Sequence, residues 1–211
     1  MTELPLQTGP QPMTANLILA SNSASRRALM TGAGLVYDAI GADIDERATE
    51  ASLSTRYAKP PEVAVELARA KALWVSERHD DAYVIGSDQV LSLDTRLFHK
   101  PLSMGEAADH IRAMSGKTHY LNCGVAIAFR GETLWTDISI AAMTMRTISP
   151  SFLQTYLDMA GESILQSVGA YQFEGPGIQL FENIEGDYFT ILGLPMLKLL
   201  AGLRSLGIID A

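Results

Sequence analysis

The apolar run Leu17 to Ala20 stops at Ser21-Asn22-Ser23-Ala24-Ser25 and gives way to a helical pattern from Arg26 to about Ala33. Strand, polar turn and helix in that order begin an alternation that the rest of the chain continues. Val36 to Gly41 predicts a second strand, and Ala42-Asp43-Ile44-Asp45-Glu46 brings acids to its end. From Pro60 onward Val63, Leu67, Ala70 and Trp74 recur at helical spacing, and this long amphipathic helix also carries Lys71. Ala82 to Ile85 predicts a strand that Gly86-Ser87-Asp88-Gln89 follows directly. Ser103 and Glu106 make a capping-box pattern ahead of Ala107, Ile111 and Met114, which places a helix at about 104–114. His119 to Phe129 and Leu134 to Met145 are β-rich, with Arg130-Gly131-Glu132 as a hairpin turn between them. Phe152, Tyr156 and Met159 mark another helix, and Met196, Leu199, Leu200 and Leu203 mark the last one behind Pro195.

Strands alternating with helices, plus one antiparallel pair, predict an α/β or α+β fold around a mixed sheet. Ligands collect in such folds where strand ends meet helix starts, and the segments 21–27 and 86–89 have that character. The 211 residues suit one compact domain or two lobes sharing a core. The expected division is a polar, Pro-containing tail over 1–15, with Met13 an alternative start, followed by a single domain over 16–211. Apolar residues at 47% can bury a core, and the absence of a repeat of 20–50 residues removes solenoids and propellers. A net charge of −8 disfavours attraction to duplex nucleic acid or anionic lipid, so neither is an expected partner and any phosphate site must be local. A lone cysteine, Cys123, and four scattered histidines exclude an internal disulfide and give no zinc spacing. A reducing cytoplasm is the expected location, since no Lys or Arg precedes Arg26 to make a secretory or transit signal. Lys198 and Pro195 interrupt the most apolar stretch well short of the roughly 18 residues that span a bilayer.

Several residues can carry chemistry, each with a plainer alternative. Small hydroxyl residues from Ser21 to Ser25 at a helix start leave backbone amides open to an anion, with Arg26 and Arg27 adding charge; the plainer reading is a serine N-cap with two solvated arginines. Asp88, placed at the end of a buried strand, can hold a divalent metal or accept a proton, or can be a simple turn residue. Gly86 before it permits close backbone approach, and Lys100 follows in Phe98-His99-Lys100-Pro101, a segment able to return beside it. Asp45 and Glu46 are either solvated acids or a source of a second oxygen ligand to the same metal. Lys71 on its amphipathic helix is expected to face solvent unless a phosphate recruits it. Ser115-Gly116-Lys117-Thr118 imitates the end of a P-loop but has Ile111 where glycine is needed and a helix in front, so it is rejected as one. His99 and His119 read as turn or strand residues, with no Ser-His-Asp or Cys-His constellation to join.

In chain order, Leu19-Ala20-Ser21-Asn22-Ser23-Ala24-Ser25-Arg26-Arg27, Asp45-Glu46, Gly86-Ser87-Asp88-Gln89, Lys100-Pro101, Ser115-Gly116-Lys117-Thr118-His119, Glu185-Gly186-Asp187 and Gly193-Leu194-Pro195 resemble the Maf family of nucleoside triphosphate pyrophosphatases. The resemblance runs from Leu17 to about Leu206. It implies an elongated, two-lobed mixed sheet with flanking helices and a central cleft, similar to the inosine triphosphate pyrophosphatases, often as a homodimer. It also implies a divalent metal cation, Mg²⁺ or Mn²⁺, and hydrolysis of a nucleoside triphosphate at the α-phosphorus to the monophosphate and pyrophosphate. Asp88, Lys100 and Glu46 match catalytic positions: Asp88 to activate water or bind the metal, Glu46 as the acidic partner and metal ligand, Lys100 to bind phosphate. Ser21, Ser25, Arg26, Lys71, Gln89 and Glu174 match substrate-binding positions.

Gly-Ser-Asp-Gln around Asp88 and Phe-Glu-Gly around Glu174 look like the 7-methyl-GTP branch, where the dTTP and UTP branch has Thr and Gln at the positions of Gln89 and Glu174. A carboxylate can accept the N1 and N2 protons of guanine and favours a base made cationic by N7 methylation. Ala24 replaces the proline of the family signature, Ser25 stands where the 7-methyl-GTP branch often has Trp, and His99 replaces the usual glycine before Lys100. The expected activity is pyrophosphate release from modified or non-standard nucleotides. The alternatives are a dTTP/UTP pyrophosphatase and a nucleotide-binding regulator of cell division or septum formation.

Overall fold

The computed structural model describes residues 15–54 and 59–210. The expected tail over 1–15, Ala15 excepted, and the alternative start at Met13 lie outside them. In chain order the elements are β1 (Leu17–Leu19), α1 (Ala24–Gly32), β2 (Asp38–Ala39), α2 (Glu46–Ser54), α3 (Pro60–Ser76), β3 (Tyr83–Leu93), β4 (Arg96–Phe98), α4 (Met104–Met114), β5 (Thr118–Phe129), β6 (Glu132–Met145), α5 (Pro150–Ala160), β7 (Phe181–Glu185), α6 (Tyr188–Ile191) and α7 (Met196–Ser205). Short 3-10 helices, Gly161–Gln166 and Pro176–Leu180, lie between α5 and β7. Serine side chains start three of the helices: Ser23, Ser103 and Ser149 accept the amides of Arg26, Glu106 and Phe152. Pro60 and Pro150 occupy first-turn positions where no amide hydrogen is needed.

The strands form one mixed sheet of seven in the order β2-β1-β3-β5-β6-β7, with β4 paired to β3. β1 runs parallel to β2 and β3, and the remaining pairs are antiparallel. The β5–β6 hairpin closes through Arg130 and Gly131, at φ 50° and 73°, the left-handed pair that a two-residue turn requires. The expected strand over Val36–Gly41 pairs only at Asp38–Ala39.

Asp88 is not at a strand end, as the sequence reading had it, but in the middle of β3, opposite Gly124 of β5. The strand continues because Gly86 and Gly124 make a flat bed for α3. A Cβ at Gly86 would lie 2.1 Å from the Ala68 carbonyl oxygen, and one at Gly124 would lie 2.3 Å from that of Ala64. The helix backbone thus rests directly on the sheet, and the side chains on that face of β3, Asp88 included, look toward α3.

Apolar side chains gather at both ends of the long strands. Leu91, Leu121 and Met143 pack with α4 and α5 residues such as Ile111 and Tyr156 in one lobe. In the other lobe, Ile85, Val125 and Ile127 pack on one face with Leu199 and Leu203 of α7, while Val84 and Ala126 pack on the opposite face with Ala68 and Ala72 of α3. Between the lobes, the β1 pairing of β3 stops at Ile85 and the β4 pairing starts at Leu91. That stretch of strand edge is the floor of a cleft. No helix among the described residues is long and apolar enough to cross a membrane.

Candidate active site

The cleft has a volume of about 1030 Å³, and Ser21, Ser25, Arg26, Glu46, Lys71, Asp88, Gln89, Lys100 and Glu174 all line it. It draws on widely separated parts of the chain: the β1–α1 turn, the start of α2, the inner face of α3, mid-β3, the residues after β4 and the segment after α5.

Lys71 is not solvent-facing. It is buried, and its Nζ bonds both Asp88 Oδ1 and, at 2.6 Å, Glu46 Oε1. The apolar stripe of α3 faces the sheet so closely, over the two glycines, that a lysine on the same face reaches the carboxylate of β3. Burial works against the Glu46 carboxylate, but Lys71 beside it, helped by Lys100 and Arg26, outweighs that effect and holds its carboxyl below the usual carboxylate range. Asp45, considered with Glu46 as a ligand, instead accepts the Ala48 amide at 2.9 Å and starts α2.

Arg26 lies in the first turn of α1 with its Nε on the Gly193 carbonyl at 2.7 Å and its Nη1 on Ser21 Oγ at 3.3 Å. The plainer reading of solvated arginines thus fails for Arg26, whose guanidinium is tied into the cleft wall. Ser21 Oγ also accepts the Ser23 amide at 3.2 Å, so the turn is folded on its own hydroxyls. Lys100 is exposed and lines the same cleft, carried there by the return of β4 along β3. Ser115–Thr118 is the turn from α4 into β5, with Gly116 at φ 69°, consistent with its rejection as a phosphate loop.

Glu50, which the sequence reading missed, lines the same cleft one helical turn beyond Glu46 and stands 3.7 Å from His99 Nε2. Burial, with like charge from Asp88 and Glu46, pushes its carboxyl up against the pull of His99. The only signal was the four-residue spacing of two acids, in a stretch with no apolar stripe to announce a helix.

The family model described as "Maf-like protein" matches residues 16–206. The chain belongs to the Maf family. It is 57% identical over 198 residues to a 7-methyl-GTP pyrophosphatase of Rhizobium johnstonii, spanning 94% of this chain and 100% of that one. A 7-methyl-GTP pyrophosphatase of Brucella suis is 54% identical over the same shares of the two chains. A nucleoside triphosphate pyrophosphatase of Bradyrhizobium diazoefficiens is 51% identical over 189 residues, 90% of this chain and 93% of that one. Among solved structures, a HAM1 protein from Coxiella burnetii superposes with a TM-score of 0.44 at 16% identity, covering 62% of this chain and 73% of that one, a likeness too slight to carry an argument.

The donor set can be judged for a metal on its own chemistry. No group of three or more His, Cys, Asp or Glu side chains suited to an ion occurs among the described residues. Asp88 and Glu46 nevertheless converge as two hard oxygen donors against the single ammonium of Lys71. That set fits Mg²⁺ or Mn²⁺, hard ions that accept one or two carboxylates and complete their shell with phosphate oxygens and water.

Proposed function

We propose that this Maf protein hydrolyses nucleoside triphosphates to the monophosphate and pyrophosphate, acting on modified bases such as 7-methylguanine. The observation that carries the reading is the convergence of Asp88, Glu46 and Lys71 in one cleft with Arg26 and Lys100 at its walls. The relatives from Rhizobium johnstonii and Brucella suis are 7-methyl-GTP pyrophosphatases, which supports the same substrate class.

A triphosphate brings several negative charges, and cleavage at the α-phosphorus places more on the departing pyrophosphate. Arg26, with Nε and Nη1 already committed, offers its remaining Nη2 to that group, and Lys100 of the same cleft adds a second positive charge. Asp88 Oδ1 is engaged by Lys71, which leaves Oδ2 either to orient a water and take its proton or, with Glu46, to hold the cation that polarises that water. Asp88 and Glu46 would hold a divalent cation, which when bound supplies charge neutralisation and a more acidic water. Against the effect of burial, Lys71 beside Glu46 holds its carboxyl below the usual carboxylate range, so it is the ionised form that is offered as a ligand at neutral pH.

Incubation with a panel of 7-methyl-GTP, GTP, ITP, dTTP and UTP in Mg²⁺, with identification of products, tests the reading. Monophosphate and pyrophosphate from 7-methyl-GTP in preference to dTTP and UTP is expected. Preference for dTTP or UTP would favour the other enzyme reading, diphosphate and orthophosphate would contradict the point of attack, and no turnover of any triphosphate would favour a regulator.

A further inference from the structure

Glu50 and His99 meet in the lining of the cleft, each on a support that fixes it there. On α2, Glu46, Glu50 and Leu53 fall on one face of the helix. Leu53 packs with the cluster of Val63, Leu67 and Val90, so that face is turned to the protein and both acids line the cleft. His99 and Lys100 form a short exposed step between two buried residues, Phe98 at the end of β4 and Pro101. The ring of Phe98 has the Arg96 guanidinium over it at 4.3 Å and the ring of His110 against it at 5.0 Å. The step is thus anchored at both ends, and both of its side chains line the cleft.

Lys71 compensates Asp88 and Glu46, and Glu50 is left to His99, whose Nε2 is 3.7 Å from Glu50 Oε2. Burial, then Asp88 of β3 and Glu46 of α2, disfavour the Glu50 carboxylate, while His99 and Arg47 favour it. The other titratable groups near His99 are Lys100, next in the chain, and His110 of α4. Among the described residues lining the cleft, Arg26, Arg47, Lys71 and Lys100 stand against four carboxylates, so these charges cancel. His99 is the only histidine in that lining. Its proton therefore decides whether the lining is neutral or carries a net positive charge toward a polyphosphate.

We propose that His99 is a positioning residue for the triphosphate, acting through Glu50 to make nucleotide binding depend on pH. Protonated, it neutralises Glu50 and leaves Lys100 to the phosphates. Neutral, it leaves the Glu50 charge to repel them. Binding is therefore tighter on the acid side of the histidine titration and weaker above it. The inference rests on the pyrophosphatase reading only for the identity of the ligand as a nucleoside triphosphate.

The test measures Kd for the α,β-imido analogue of 7-methyl-GTP in Mg²⁺, with kcat and KM for 7-methyl-GTP, between about pH 6 and pH 8.5. The proteins are wild type, His99→Ala, His99→Lys and the double variant Glu50→Gln/His99→Ala. The titration of the nucleotide is common to all four, so ratios of Kd isolate the protein's part. At the acid end His99→Ala should bind about fivefold more weakly than wild type, the upper end for a partly exposed ion pair, and at the alkaline end it should match it. His99→Lys should match wild type at the acid end and bind about fivefold more tightly at the alkaline end, since its charge persists. The double variant should recover the affinity lost in His99→Ala, and the changes should appear in KM rather than kcat. A ratio of His99→Ala to wild type that is the same at both ends would overturn the proposal, as would a His99→Lys protein that weakens binding as His99→Ala does. Because Kd is read without turnover, the expected ratios with no pyrophosphate release keep this inference and remove the pyrophosphatase reading. Intact release with pH-independent ratios does the reverse.

Discussion

Lys71 is the residue on which the cleft chemistry turns, because it joins two carboxylates from different elements inside the protein. Removing one partner of such a buried pair strands the other. Lys71→Ala should cost about 3 kcal/mol in denaturant unfolding at pH 7, and replacing Asp88 by Leu in the same protein should recover part of that loss. An unchanged unfolding midpoint in the single variant would show the pair to be solvated. His119 offers a second residue-scale test. Its side chain is fully buried with Nε2 on the Tyr171 hydroxyl at 2.8 Å and no partner at Nδ1 among the described residues, and burial pushes its pKa down to about 4. A depressed histidine means the unfolded chain takes the proton first, so its contribution is intact above pH of about 6.5 and is lost as pH falls toward about 4, by roughly 3 kcal/mol in total. Thermal melts across that window should decline in wild-type protein, and His119→Gln should flatten the decline. Equal slopes would contradict the assignment.

At the scale of elements, the seating of α3 on β3 and β5 decides whether Lys71 reaches Asp88. Gly86→Ala would drive a methyl into the Ala68 carbonyl, so the helix must lift. A loss of about 3 kcal/mol is expected from such overpacking, with pyrophosphate release falling further than the folded fraction does because Lys71 moves with the helix. Retention of both stability and turnover would show that the helix shifts freely. The capped and periodic helices were legible: α3 begins at Pro60 as its stripe predicts, and α4 and α7 begin one residue after the expected Ser103 and Pro195. The hairpin was legible from its β-rich runs, though its turn is shorter by Glu132. β3 was cut short at Ile85 because Gly86-Ser87-Asp88 has the composition of a turn; only the helix resting on the two glycines explains why it stays extended. α2 and α6 lack an apolar stripe, so no local pattern announces them. The site residues stood in recognisable short patterns, but the union of Lys71 with Asp88 and Glu46, and the meeting of Glu50 with His99, are tertiary facts that no local pattern carries.

For the whole molecule, a net charge of −8 must coexist with an anionic substrate, and the two-lobed sheet resolves this by bringing Arg26, Lys71 and Lys100 to one cleft. Four carboxylates in the same cleft, Glu46, Glu50, Asp88 and Glu174, need further positive charge once a triphosphate enters, so chelation with EDTA should abolish pyrophosphate release and added Mg²⁺ or Mn²⁺ should restore it. Persistent release in chelator would remove the metal from the account. The most direct measurement is pyrophosphate release from 7-methyl-GTP in Mg²⁺ by wild-type and Asp88→Asn proteins, with binding of the α,β-imido analogue measured alongside. The account predicts that the variant binds within a few-fold of wild type while its kcat falls by about 10²- to 10⁴-fold, the range expected for loss of a positioned base. Near-normal release by Asp88→Asn would contradict it.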